Sequence, residues 1–142
     1  MSRGSPSISR KVWDSLAKAA LAARQRAYAP YSRFKVGAAL LTTDGELFCG
    51  CNVENASYGL CVCAERGAVC TAVSAGRRDF LAMAIATASS PPSPPCGMCR
   101  QVLAEFCEDL PLLLVNTAGG RRRTRLAELL PGAFRWKGAG TQ

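Results

Sequence analysis

Apolar residues recur at three- and four-residue steps between positions 10 and 28: Val12, Leu16, Ala19 with Ala20, and Ala23, with Lys18, Arg24 and Arg26 off that face. The spacing predicts an amphipathic helix over 10–28, with Ser9 as its N-cap and Pro30-Tyr31-Ser32 as its stop. Phe34 to Leu41 then reads as a strand, Thr43-Asp44-Gly45 as a hairpin turn, and Leu47 to Val53 as the return strand. A loop rich in Asn, Ser and Gly follows from Glu54 to Gly59. The next helix starts near Cys63 and runs to about Ser74, where Ala75-Gly76 stops it. Leu81 to Ala86 is wholly apolar, as expected of a central buried strand. The proline-rich Ser89–Pro95 segment cannot be regular. A further helix begins near Gly97 and ends by Cys107, and Leu112–Asn116 is the next buried strand. Arg121–Arg125 fits a short edge strand whose charge protects the edge, and Leu126–Leu130 a closing helical turn. This alternation predicts an α/β layered sheet covered by helices.

At 142 residues the chain is expected to form one domain over 10–137, between a flexible polar segment at 1–9 and a flexible tail at 138–142. No run reaches the roughly 18 apolar residues that a membrane span requires. The N-terminus lacks the apolar core of a signal peptide, so a reducing, cytoplasmic setting is expected for its eight cysteines. The net charge of +8 raises nucleic acid as a partner. The basic residues are scattered except for Arg121, Arg122, Arg123 and Arg125. That cluster has few aromatic neighbours and reads as a solvated or subunit-facing surface, so nucleic acid is not the expected partner.

The chain contains no histidine. Its metal-binding chemistry therefore concentrates in Cys63-Ala64-Glu65 and Pro95-Cys96-Gly97-Met98-Cys99. Both segments fall at predicted helix starts, where free N–H groups and the helix dipole favour the thiolate that binds zinc. Zinc on Cys63, Cys96 and Cys99 would keep a fourth position open, as catalytic zinc does. Three thiolates on zinc carry a formal charge of about −1. Arg66 and Arg100, adjoining the motifs, are expected to offset it. A structural site with four protein ligands is the alternative. Cys61 could complete it, although its spacing from Cys63 is uncommon; Cys70 reads as core, and Cys107 lies too far along its helix. Glu65 favours the catalytic reading, because a carboxylate beside an open zinc position is the expected proton shuttle.

Cys63-Ala64-Glu65-Arg66 with Pro95-Cys96-Gly97-Met98-Cys99-Arg100-Gln101 resembles the zinc-dependent cytidine deaminases. Tyr28-Ala29-Pro30-Tyr31-Ser32-Arg33-Phe34-Lys35-Val36-Gly37-Ala38-Ala39-Leu40 and Gly50-Cys51-Asn52-Val53-Glu54-Asn55-Ala56-Ser57-Tyr58 resemble the small homotetrameric nucleoside form, as does Glu128-Leu129-Leu130-Pro131-Gly132-Ala133-Phe134. The resemblance implies a three-layer α/β/α sandwich around a mixed five-stranded sheet. It implies one Zn2+ per subunit on Cys63, Cys96 and Cys99, with Glu65 as proton shuttle. Asn52 and Glu54 would hold the ribose hydroxyls, since amide and carboxylate groups suit hydroxyl partners. Phe34 would lie against the nucleoside, and Ala56 and the Ala64 backbone would meet the base edge. Tyr58 and Phe134 would reach a neighbouring subunit's pocket in a homotetramer with shared sites. Read without the resemblance, Phe34 and Phe134 fit core packing, and Asn52-Val53-Glu54 fits the end of an edge strand. Lys35, Gly67 and Pro94-Pro95 depart from common family residues, but none is a ligand.

The implied reaction is hydrolytic deamination of cytidine and 2′-deoxycytidine to the uridine products and ammonia, a step of pyrimidine salvage. Zinc-bound hydroxide would attack carbon 4 while Glu65 moves the protons. Two rivals are a deaminase of an aminated nucleoside antibiotic and a basic RNA-binding module with structural zinc.

Overall fold

The structure, a computed structural model, describes residues 7–136. The expected tail at 138–142 and most of the expected N-terminal segment lie outside those residues. The elements are α1 (Arg10–Arg24), β1 (Gly37–Thr42), β2 (Leu47–Cys51), a short 3-10 turn (Tyr58–Leu60), α2 (Ala64–Ser74), β3 (Phe80–Thr87), α3 (Gly97–Phe106), β4 (Pro111–Asn116), β5 (Arg121–Arg125) and α4 (Leu126–Leu129). The strands form one sheet in the order β2-β1-β3-β4-β5. Every pair is antiparallel except β3 with β4, whose crossover is α3. The sheet is therefore mixed and five-stranded, with β3 at its centre, as expected.

Alternation along the strands builds the two cores. Ala39, Ala82, Ala84 and Ala86 face α1, where they pack with Trp13, Leu16, Ala17 and Ala20. Leu40, Met83, Ile85, Leu112 and Leu114 face the other way, against Ala68, Val69 and Ala72 of α2 and Leu103 and Ala104 of α3. A sheet with helices on both faces must bury both sides of its central strand. This explains the continuous apolar run in β3. Arginines at 121, 122, 123 and 125 stand exposed on the outer strand β5.

Three boundaries differ from the sequence expectation by more than one residue. Ser9 caps α1 as expected, its hydroxyl accepting from the Val12 N–H at 3.2 Å. The helix ends at Arg24, however, well before residue 28. Beyond it the backbone turns, so that the Tyr28 N–H donates to the Asn52 carbonyl and the Glu54 N–H to the Tyr28 carbonyl, at 2.9 and 2.8 Å. The buried face of α1 is Trp13, Leu16, Ala17, Ala20 and Ala23, leaving Val12 and Ala19 at its margins. β1 starts at Gly37 instead of Phe34, and β2 ends at Cys51 instead of Val53.

Two glycines set how closely the helices approach the sheet. A Cβ on Gly37 would stand 2.1 Å from the Ala20 carbonyl oxygen, inside α1. A Cβ on Gly50 would stand 2.4 Å from the Ala64 carbonyl oxygen, inside α2. Backbone-on-backbone packing at Gly50 brings the first turn of α2 down onto β2.

Candidate metal centre and active-site cavity

Cys63 is the N-cap of α2 and Cys96 the N-cap of α3; Cys99 lies in the first turn of α3. The ligand atoms of all three lie within 4.8 Å of one another. Cys63 Sγ is 3.9 Å from Cys96 Sγ, which is 3.5 Å from Cys99 Sγ. Three sulfurs at about 2.3 Å from one tetrahedral zinc stand roughly 3.8 Å apart, so the cluster already has the size of the ion's coordination shell. Neither N-cap cysteine makes a side-chain capping bond, so its sulfur is free to face its partners. Two helix N-termini converge on the cluster and favour negative charge there.

The Cys99 thiol, donating to Cys63, does most to pull the Cys63 thiol down to about 5; burial opposes this, and Arg66 and Cys96 assist. Giving that bond and being buried raise Cys99 in turn. The Arg66 guanidinium donates to the Cys61 carbonyl at 3.0 Å and lies 3.7 Å from Cys63 Sγ. Arg100 is placed differently. It donates to the carbonyls of Pro95 and Leu129, both at 2.8 Å, and so ties the ligand loop to α4. Cys61 turns away, its thiol facing the Asn55 carbonyl at 3.8 Å. Cys107 is buried, and burial pushes its thiol up to about 11. Cys70, expected in the core, is exposed on the solvent face of α2.

Glu65 is 5% exposed. Burial pushes its carboxyl up to about 7; the adjoining Cys63 charge adds to this, while a backbone hydrogen bond and Arg66 oppose it. A carboxyl poised near neutrality can both accept and return a proton.

A cavity of about 260 Å³ opens over these groups. Phe34, Asn52, Glu54, Cys63, Ala64, Glu65 and Cys96 all line it. Asn52 bridges the chain leading into β1: its Nδ2 donates to the Phe34 carbonyl at 2.7 Å, and its Oδ1 accepts from the Val36 N–H at 2.8 Å. Glu54 accepts from the Tyr31 and Ser32 N–H groups at 2.9 and 3.1 Å, and from the Ser32 hydroxyl. Phe34 is substantially exposed, which excludes the core-packing alternative for it in this chain.

Three expected substrate-binding residues do not line that cavity. Ala56 is exposed in the loop after β2. Tyr58 meets Tyr31 edge-on, with ring centroids 5.9 Å apart, at an adjoining hollow. Phe134 is 69% exposed, its carbonyl held by the Gln101 side chain at 2.9 Å. Ser32, Val36, Ile85, Thr87, Ser93 and Pro94 also line the cavity and were not singled out from the sequence. Ser32 and Val36 lie inside the Tyr28–Leu40 motif. Thr87, Ser93 and Pro94 carry no local signal, because they come together through tertiary structure.

The model of the cytidine and deoxycytidylate deaminase zinc-binding region matches residues 11–111. A cytidine deaminase of Halalkalibacterium halodurans is 54% identical over 120 residues, covering 84% of this chain and 91% of its own. The solved structure of a cytidine deaminase from Burkholderia pseudomallei is 52% identical. It superposes with a TM-score of 0.84, covering 89% of this chain and 100% of that one. A blasticidin-S deaminase of Bacillus cereus is 32% identical over 110 residues, covering 70% of this chain and 76% of its own. The three-cysteine cluster, the buried glutamate beside it and the cavity above them thus sit on the zinc-binding region of a known enzyme family, and the chain belongs to the cytidine and deoxycytidylate deaminases.

Proposed function

We propose that the protein hydrolyses cytidine and 2′-deoxycytidine to uridine and 2′-deoxyuridine with release of ammonia, a reaction of pyrimidine salvage. The observation that carries this reading is the cavity shared by Glu65, Cys63 and Cys96 of the cysteine cluster, and the Asn52/Glu54 pair. Cys63, Cys96 and Cys99 would hold zinc, which when bound supplies an activated water as the nucleophile. Glu65 takes one proton from that water and delivers it to the ring nitrogen, then takes the second from the hydroxyl added at carbon 4 and delivers it to the departing amine, which leaves as ammonia. Its buried, near-neutral carboxyl suits both directions of transfer. Asn52 and Glu54 orient the ribose, Phe34 packs on the nucleoside, and the Ala64 backbone and Ala56 meet the base edge. Arg66, in contact with Cys63 Sγ, holds the thiolates charged, while Arg100 braces the ligand loop through the Pro95 carbonyl.

Tyr58 and Phe134 complete a neighbouring subunit's site in a homotetramer. Their exposure on the single chain supports this, as does that of Leu60 and Trp136 beside them in sequence. Sedimentation measured alongside activity tests the assembly; a fully active monomer would contradict it.

An ultraviolet assay of cytidine loss, with zinc measured by mass spectrometry, tests the reaction. Glu65→Gln is expected to keep its zinc and lose about 10²–10⁴-fold in turnover. Turnover near that of the wild type would remove Glu65 from the mechanism. The likeness to a blasticidin-S deaminase keeps aminated nucleoside antibiotics as a second substrate class. Parallel assays on cytidine, cytosine, cytidine monophosphate and such an antibiotic separate the two.

A further inference from the structure

The loop at 88–96 joins β3 to α3. It lines the cavity with Ser93 and Pro94 and ends on Cys96. Arg100 fixes its far end through the Pro95 carbonyl, at 2.8 Å. Its near end is fixed from outside the cavity, by Asn116.

Asn116 is the last residue of β4 and is 4% exposed. Its Oδ1 accepts from the Ala118 and Gly120 N–H groups, at 3.1 and 2.7 Å, which closes the turn into β5. Its Nδ2 donates to the Ser89 carbonyl at 3.0 Å. The turn uses only the acceptor half of the amide; the donor half serves the loop. Ser89 passes the connection on. Its hydroxyl is 3.1 Å from the Thr87 hydroxyl, 3.0 Å from the Pro91 carbonyl, and bonded to the Ser93 hydroxyl. Thr87 and Ser93 are themselves cavity-lining residues. A continuous chain of hydrogen bonds, joined through Ser89, therefore runs from the β4–β5 turn to the wall of the cavity, and a part-buried, satisfied network of this kind rigidifies the segment it holds.

We propose that Asn116 is a positioning residue for the cavity: acting through Ser89, it sets where Ser93 and Pro94 stand against a bound nucleoside. This rests on the cavity being the nucleoside-deaminating site.

Two variants disturb the bond to Ser89 by different routes. Asn116→Asp keeps the acceptor for Ala118 and Gly120 but turns a carboxylate oxygen toward the Ser89 carbonyl. Gly120→Ala leaves Asn116 chemically intact, but its Cβ would stand 2.9 Å from Nδ2 and 3.0 Å from Oδ1 and so displace the amide. Both are expected to raise KM for cytidine by about three- to tenfold, the net worth of one hydrogen bond, with a smaller change in kcat and unchanged zinc content. Both should also speed hydrogen exchange of the Ser89 amide, which donates to the Thr87 hydroxyl at 3.3 Å, while leaving β3 protected. Wild-type KM in the two folded variants, or a loss confined to melting temperature, would overturn the proposal. If the wild-type protein fails to deaminate cytidine, the functional reading falls. The exchange measurement then still decides whether Asn116 anchors the loop.

Discussion

Replacing Gly50 by alanine drives a methyl group into the first turns of α2. The added Cβ would lie 2.4 Å from the Ala64 carbonyl oxygen, 2.5 Å from the Ala68 nitrogen and 3.0 Å from the Gly67 carbonyl carbon. Ordinary contact begins near 3.4 Å, so the two backbones must part by 3.4 − 2.4 = 1.0 Å. Both sides of the clash are backbone, and no side-chain rotamer can relieve it. Overpacking of this kind costs about 1–3 kcal/mol. At this chain length each kcal/mol lowers the melting temperature by about 2–8 °C. The effect on turnover should be larger still, because Ala64 sits between Cys63 and Glu65. A displacement of about 1 Å at a reacting group can cost about 10²-fold in rate. Gly67, on the facing turn of α2, supplies the control. A Cβ there would meet only Gly50 Cα and the Cys51 carbonyl oxygen, at 3.7 and 3.8 Å, which is ordinary contact. Gly67→Ala should therefore gain up to about 1 kcal/mol from helix propensity. Thermal melts, zinc content and cytidine turnover of the two variants form the assay. The packing argument fails if Gly50→Ala melts and turns over like the wild type, or if Gly67→Ala is equally damaging.

Removing the metal with a chelator, or substituting Cys96→Ser, should lower the melting temperature as well as abolish activity, because the cysteine cluster joins two helices. Arg66→Gln should weaken zinc retention about 10–100-fold in a chelator competition, since Arg66 is the side chain holding both Cys63 Sγ and the Cys61 carbonyl. Equal retention would show that the helix termini suffice. The Ser32 hydroxyl, followed by the Ser32 and Tyr31 N–H groups, holds the Glu54 carboxyl below its ordinary 4.5. That interaction stabilises the fold fully above pH 4.5 and is lost as pH falls through the lowered value. Ser32→Ala should raise the Glu54 titration seen by NMR, and an unmoved titration would remove Ser32 as the cause.

The two helix starts that carry the cysteines could be read from the sequence because capping is local. The buried strand β3 and the charged edge β5 could be read because burial leaves a pattern within a few residues. The lead into β1 could not. Phe34 and Val36 look like strand residues, but the Asn52 side chain takes the Phe34 carbonyl and the Val36 N–H, and the ladder with β2 opens at Gly37. The end of α1 was missed because Tyr28 pairs with the chain at 52–54, a contact that periodicity does not register. Within the site, Cys63, Cys96, Cys99 and Glu65 stand out by type and spacing alone. The role of Glu54 came only through resemblance, and its Ser32 partner needed the fold. The same holds for Asn116, which the sequence presents simply as the last residue of a strand.

The spacing of the metal ligands has a consequence for folding. Cys63 and Cys96 are 33 residues apart, and the chain between them runs through α2 and the central strand β3. In the fold their sulfurs meet across a chain segment whose strand β3 lies between β1 and β4. A metal bound across that span acts as a removable cross-link. Because the folded chain is what brings the three sulfurs together, the ion stabilises the fold through its own binding free energy. Metal capture is thereby tied to completion of the sheet, and a chain with β3 out of place has no site in which to hold the ion.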